Sequence, residues 1–541
     1  MKRSRVLGVF LATVVFTVVN QHAAPSQQSV DQATKVDDVF KKWTASTPGC
    51  AVAVSVGGKG VLEKAYGMAD LEHDVRNMPD SVFEAGSVSK QFTVAAVLQL
   101  VADGKIALDD PVRKYIPELP DYATPLTIRH MLTHTSGLRD WGSVESIAGW
   151  PRTSRVYTHA HVLDIVSRQS KLNFTPGTQW SYSNTGFNLA AIIVTRVSGM
   201  PFAEFSKKRI FEPLGMTHTQ WRDDFTRIVK NRTIAYDEAA GVFSQDMPFE
   251  NIHGNGGLLT TVGDLLKWNE NFETMKVGDP ALIRLQQQPG KFSDGRSLDY
   301  GLGLFIDTYK GLHQIHHSGS TAGYRAELMR IPERGLSVAV LCNVGSGNAT
   351  GAARAVADLY LTNVKTPDAP KATYTLTTAD SDAVVGTYKS RKSGLAQTIT
   401  RSNEGLIRLG NATLVPQSAT RFVTAAGDTW EFTKASARQT NNLGTSEDFE
   451  RVAPAKPTAA QLRDYLGAFT SNDAETVLTA AIEKDQLVLK RRPDTIITLT
   501  PLYADAFRGS IGTVIFRRDA SGKVNELSVV QDRVWDLRFK K

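Results

Sequence analysis

Residues 91–102, QFTVAAVLQLVA, read as a helix that is apolar on nearly every side, with Val94, Ala95, Ala96, Val97, Leu98, Leu100 and Val101 spread around its circumference. A helix without a polar face must be enclosed by other structure. The chain therefore needs a core large enough to surround it. Immediately before it stands EAGSVSKQF, which places Ser87 and Lys90 at the mouth of this buried segment. Taking an ammonium out of water is costly unless a partner or a task accompanies it. Three residues apart on one helix face, Lys90 lies beside the Ser87 hydroxyl. A serine is a poor nucleophile until a base takes its proton, and a lysine short of water can be that base. The S-x-x-K spacing alone arises by chance roughly twice in a chain of this length, and a serine cap followed by a snorkelling lysine accounts for it equally well.

The length, 541 residues, exceeds a single core and points to about two to four domains. Although the net charge is +7, acidic and basic residues alternate along the chain, so there is no basic stripe for nucleic acid. The N-terminus carries Lys2, Arg3 and Arg5 ahead of an apolar run from Val6 to Val19, the pattern of an export signal, with cleavage expected near Ala24. The run is shorter than the ~20 residues that span a bilayer, so no stable membrane anchor is expected after its removal, and the location is secreted or periplasmic. Cys50 and Cys342 both sit in strand-like runs, which leaves two buried thiols or one disulfide, the latter if the two strands are neighbours.

Strand patterns occur near both ends of residues 25–365: GCAVAVSVGGKGVLEKAYG early, then YGLGLFID, HQIHHSG, YRAELMRIP and LSVAVLCNV. Between them helical patterns dominate. This order predicts one antiparallel sheet built from both ends, flanked by helices, with an all-α lobe inserted. The Pro-, Thr- and Asp-rich VKTPDAPKATYTLTTADSD reads as a linker. Beyond it only short strands follow, in two halves (366–455 and 456–541) that echo each other. DAVVGTYKS corresponds to RDYLGAFTS, and TLVPQSATRF to TLTPLYADAF, at a spacing of roughly 80 to 85 residues. Two small antiparallel β-barrels are expected.

Two further stretches can carry chemistry. In WSYSNTGF, Tyr182 and Asn184 stand one residue apart before an apolar helix; a tyrosine near cations can approach the phenolate and shuttle protons, and the asparagine can bind a substrate carbonyl. In HHSGSTAGYRAEL, Gly319 allows close approach to a strand, with His317 and Ser320 beside it. Taken together and in this order, Ser87-x-x-Lys90, Tyr182-x-Asn184 and His317-Ser318-Gly319 resemble the penicillin-recognising serine hydrolases, specifically their class C β-lactamase-related branch. LTIRHMLTHTSGL, FEPLGMTHT and GNGGLLTTVGDLLKW are similar to that branch as well. The resemblance implies an α/β catalytic domain in which Ser87 is acylated, Lys90 is its base and Tyr182 the proton shuttle. It also implies that Asn184 contacts substrate and that the N–H groups of Ser87 and Ser320 form an oxyanion hole.

The histidine at 317, where β-lactamases and D-alanyl-D-alanine carboxypeptidases of this superfamily usually have lysine, resembles the D-aminopeptidases. In these, two eight-stranded barrels follow and a loop of the last enters the cleft, for which Asp494 and Asp505 are candidates. The substrate expected is a small peptide or ester, with no cofactor or metal. Carboxypeptidase, esterase or weak β-lactamase activity and an acylatable sensor stay open as alternatives, as do the role of Arg325 and the oligomeric state, a homodimer included. His130 and His134 at helical spacing, with His313, His316 and His317, offer a zinc reading, but the glutamate of H-E-x-x-H is missing, and the first two read as loop-packing residues.

Overall fold

Successive residues of a strand point to opposite faces, and in Cys50–Val56 (β1) every residue but the last is buried, so the sheet must be covered on both sides. The computed structural model describes residues 27–152, 155–365, 369–441 and 445–541; residues 1–24, read as an export signal, lie outside them. After β1 come Lys59–Tyr66 (β2), Phe305–Tyr309 (β3), Leu312–Thr321 (β4), Tyr324–Ile331 (β5) and Leu336–Cys342 (β6). They form one antiparallel sheet in the order β3-β4-β5-β6-β1-β2. On one face Val52, Val54, Val338 and Val340 pack with Val36 and Phe40 of α1 (Gln27–Phe40) and with Val356 of α5 (Ala349–Tyr360). On the other, the small Ala51, Ala53 and Ala339 make room for the larger core beneath the helical lobe.

That core encloses α2 (Lys90–Ala102), whose residues from Lys90 to Leu100 are all buried except Ala95. Phe92 rests 4.4 Å from the ring of Trp268, on α4 (Val262–Thr274). Against α2 lies α3 (Asn184–Ser198), apolar through most of its length. The expected architecture, a sheet from both chain ends around a helical insertion, is the one observed.

Sheet register decides the cysteine question that spacing left open. Cys50 lies directly opposite Cys342 in the β1–β6 pair, and the two are joined as a disulfide. A crosslink between residues so far apart in sequence restricts the unfolded chain strongly and is worth about 2–4 kcal/mol. Thiol titration of the denatured, unreduced protein should find no free cysteine; two titratable thiols would contradict the pairing.

The C-terminal region contains two barrels. Eight strands between Gly386 and Val452 close completely. In the second, a sheet curls until its edge strands, Thr495–Thr498 and Thr500–Tyr503, are consecutive pieces of one segment interrupted at Leu499. The sequence echo has a structural counterpart: each barrel opens with a short helix capped by a threonine, Thr377 or Thr458, and a first strand whose aromatic, Tyr388 or Phe469, fills its core. The last hairpin joins Val524–Gln531 (β7) to Val534–Lys540 (β8) through Asp532 and Arg533.

Candidate active site

Ser87 lies in a 3₁₀ turn, Gly86–Ser89, and Lys90 opens α2 behind it. In this tighter winding residues three apart eclipse one another. The expected pairing on one α-helical face is thus made by a different winding, with Lys90 Nζ 3.1 Å from Ser87 Oγ. The amine also donates to Asn184 Oδ1 at 2.9 Å and to the carbonyl of Asn255 at 2.7 Å. Burial, with the Arg533 and Arg152 guanidinium groups nearby, holds Lys90 well below the usual lysine range, against an opposing pull from Asp140. A neutral amine has two N–H donors and one lone pair. With both carbonyl oxygens taking the donors, the lone pair faces the serine hydroxyl.

Tyr182 stands over this pair, its ring centre 4.8 Å from Lys90 Nζ. Burial raises its pKa above the ordinary tyrosine value, and neither the Ser87 hydroxyl nor Arg533 reverses this. The expectation that cations would bring it toward the phenolate fails here because desolvation outweighs them. His134 backs the ring at 4.2 Å, with its Nδ1 accepting the Ser183 N–H at 3.1 Å, and is held neutral by burial. Asn184 begins α3, where its own N–H donates to Asp140 Oδ2 at 2.8 Å. Since its Oδ1 is taken by Lys90, its Nδ2 is the atom left for a ligand.

Two glycines let β4 close onto the serine turn. A Cβ on Gly319 would meet the Ala85 carbonyl at 2.0 Å, and one on Gly86, where φ is +50°, would meet Ser320 N at 2.6 Å. Thr321 and Tyr324 close the two-residue β4–β5 hairpin. A closing pair exchanges hydrogen bonds and the next pair does not, so the Ser320 N–H points away from β5. On that side β3 has already ended, its last pairing being Phe305 with His316, and the N–H faces the cleft beside that of Ser87.

His317 lines the cleft but is not a cation there. Burial and the proximity of Lys90 push its pKa down to about 3. Both ring nitrogens are occupied: Nδ1 donates to the Ser318 carbonyl at 2.6 Å and Nε2 accepts from Tyr300 OH at 3.0 Å. Its neighbour His316 has the opposite fate, since Asp307 and Glu327 override its burial and raise it to about 9. The histidines of the zinc reading have separate partners. His130 Nδ1 accepts from Thr127 N at 3.3 Å, and among the described residues the one group spaced to hold a metal ion is Asp70, Glu72 and His73, elsewhere on the surface.

The cleft, about 680 Å³, collects Ser87, Tyr182, Asn184, His317, Gly319, Ser320 and Arg325, and Lys90 sits beneath Ser87. It also contains groups the sequence reading did not single out: Arg152, Trp180, Asn255, Phe305 and Arg533. A loop of the last barrel does enter the cleft, but it is the β7–β8 turn that carries Arg533. Asp505 is bound instead by Arg518 at 3.0 Å and by Tyr465 OH at 2.8 Å. Asp494 sits on an exposed turn that docks elsewhere, because Arg491 and Arg492 donate to the Ile147 and Ala148 carbonyls at 2.8 and 3.0 Å.

Beneath the serine turn, Glu84 is fully buried and bridged by Arg222 at 2.8 and 2.9 Å. Removing one member of such a pair costs about 3–5 kcal/mol, because the other charge is left stranded. The serine turn therefore stands on a rigid base.

Residues 33–362 match the family described as Beta-lactamase. A D-aminopeptidase of Gluconobacter oxydans is 30% identical over 355 residues, 65% of this chain and 65% of that protein, so just under two thirds of the relative's length is spanned. A D-aminopeptidase of Brucella anthropi is 24% identical over 514 residues, covering 89% of this chain and 93% of that one. The octameric penicillin-binding protein homologue from Pyrococcus abyssi shares the fold at a TM-score of 0.55 and 22% identity, over 86% of this chain and 99% of that one. Because the family match runs through the sheet, the helical lobe and the serine turn, more than half of the residues present, the chain belongs to the β-lactamase family.

Proposed function

We propose that the protein is a secreted serine hydrolase of the D-aminopeptidase-like kind, cleaving an amide bond on the carbonyl side of a D-residue through an acyl-serine intermediate. The observation that carries this reading is the buried Lys90 amine, 3.1 Å from Ser87 Oγ with its donors directed at Asn184 and Asn255. Ser87 Oγ attacks the carbonyl carbon while its proton passes to Lys90. The Ser87 and Ser320 N–H groups take the developing oxyanion, each donor of this type being worth about 3–4 kcal/mol of the barrier. Tyr182, a neutral phenol, hands its proton to the leaving nitrogen and is reprotonated from Lys90. Water then attacks the ester carbonyl, its proton returns along the same path, and Ser87 is released with the acid product.

The relatives' names support the D-residue preference, and the neutral His317 supports weak turnover of antibiotics that rely on a cation at that position. A panel of D- and L-alanine p-nitroanilides, a diacyl-D-Ala-D-Ala peptide, a short-chain ester and a chromogenic cephalosporin tests this. The D-anilide is expected to exceed its L-enantiomer and the cephalosporin by about a hundredfold or more in kcat/KM. Equal rates on both enantiomers would remove the D-residue assignment, and preference for the cephalosporin would remove the peptidase assignment.

A further inference from the structure

The charges around the cleft are one-sided. Its lining includes Arg152, Arg325 and Arg533 and contains neither aspartate nor glutamate. Two of the three arginines already have protein partners. Arg152 is paired with Glu250, through Nε at 2.8 Å, and Arg325 donates to the Ala322 and Tyr324 carbonyls at 2.7 Å each. Arg533 differs: it is exposed to the cleft, it makes no ion pair among the described residues, and its guanidinium lies 4.6 Å from the centre of the Tyr182 ring. His317 cannot take an anion in its place, since both ring nitrogens are occupied within the protein.

The backbone beneath Arg533 is firmly held. Its carbonyl accepts from Asp140 N at 3.2 Å and from Asn173 Nδ2 at 3.1 Å, and Asp532 O accepts from Ser181 Oγ at 3.2 Å. Trp535 N donates to Asn173 Oδ1 at 2.8 Å, and Arg139 reaches the Asp536 carbonyl at 3.0 Å and the Asp473 carboxylate at 2.8 Å. Asp140, which grips the hairpin tip through its own N–H, also holds the Asn184 N–H through its carboxylate. The second barrel is thus docked onto the loop that positions Asn184, and it presents one unpaired guanidinium at the cleft mouth.

We infer that Arg533, delivered by the β7–β8 turn of the second barrel, is the anion-binding residue of the cleft, and that the substrate is a short peptide whose free carboxylate it holds while Ser87 is acylated. An arginine fork matches a carboxylate with two parallel, charge-assisted bonds. A free ammonium at that position would meet only like charge. This inference rests on the acyl-serine reading above and narrows its substrate class.

The test compares D-alanyl-glycine with D-alanyl-glycinamide on the full-length protein, two substrates that differ only in the terminal charge, with release of D-alanine as the readout. The wild type should favour the free acid by roughly tenfold or more in kcat/KM. In Arg533→Gln the acid-to-amide ratio should fall to near one, in Arg533→Glu it should invert, and Arg533→Lys should keep most of it. Melting temperatures of the variants identify any that fail to fold, and the wild-type and Arg533→Lys ratios decide the matter independently of those. A wild-type ratio at or below one overturns the inference. So does a ratio unchanged in Arg533→Gln even if both rates fall, because that would mean Arg533 acts only on Tyr182 and Lys90. If neither peptide is cleaved while p-nitrophenyl acetate still labels Ser87, the carboxylate assignment falls and the acyl-serine reading survives. Absence of Ser87 labelling would instead remove the acyl-serine reading.

Discussion

Replacing Ser87 with alanine is expected to leave less than about 1% of wild-type kcat/KM on every ester or amide the protein turns over. The loss should lie in kcat, because the hydroxyl acts at the reacting carbon whereas the cleft walls that bind substrate stay in place. The fold should be undisturbed: the backbone N–H of residue 87 is kept, and the turn is held by Gly86 packing against Ser320 of β4, by Gly319 packing against Ala85 and by the Glu84–Arg222 pair below, none of which uses the serine oxygen. An unchanged melting temperature alongside lost turnover is the expected pair of observations. Residual activity well above 1% would mean that water attacks without a covalent intermediate.

Lys90→Met is expected to reduce kcat by roughly a hundredfold to ten-thousandfold, the range over which a positioned base contributes. Methionine fills much of the same space without a basic nitrogen, and it leaves Asn184 Oδ1 and the Asn255 carbonyl without their donor. In the wild type the lysine must be unprotonated to accept the Ser87 proton, so kcat/KM should rise with pH through its pKa and then level. Because burial places that pKa well below 10.5, the plateau should begin well below the pH at which an ordinary lysine loses its proton. A rate still climbing above pH 10 would show that the lysine is unperturbed.

The same shift has a consequence for stability. Between the folded and unfolded pKa values the unfolded chain binds the extra proton, so Lys90 costs stability below about pH 10.5, and the cost shrinks as pH rises toward that value. The melting temperature of Lys90→Met relative to wild type should therefore improve as pH is lowered.

Ser87, Lys90, Tyr182, Asn184 and the His317–Ser320 strand were legible because each lies within a short local motif whose spacing survives in the sequence. The sheet was legible for a related reason: apolar strand-like runs such as CAVAVSV and LSVAVLC stand near both ends of residues 25–365 around a helical middle, although which strands pair was not. What remained hidden depends on tertiary placement. Arg533 reaches the cleft only because the second barrel docks on Arg139, Asp140 and Asn173, and nothing in QDRVW marks it as a ligand-binding turn. Asp505 was a candidate for the loop that enters the cleft, but its partner Arg518 lies within its own barrel. The state of Tyr182 was misjudged because the sequence shows cations and aromatics without showing how far each is buried. The disulfide needed the β1–β6 register, which neither cysteine's neighbours specify.

The covalent step is the centre of the account, and rapid quenching of the wild-type protein with D-alanine p-nitroanilide, followed by intact-mass and peptide analysis, tests it most directly. A D-alanyl adduct that forms and decays within a turnover, maps to the peptide containing Ser87 and is absent from Ser87→Ala is the predicted result. Steady p-nitroaniline release with no adduct on the millisecond scale, or an adduct on any residue other than Ser87, would contradict it.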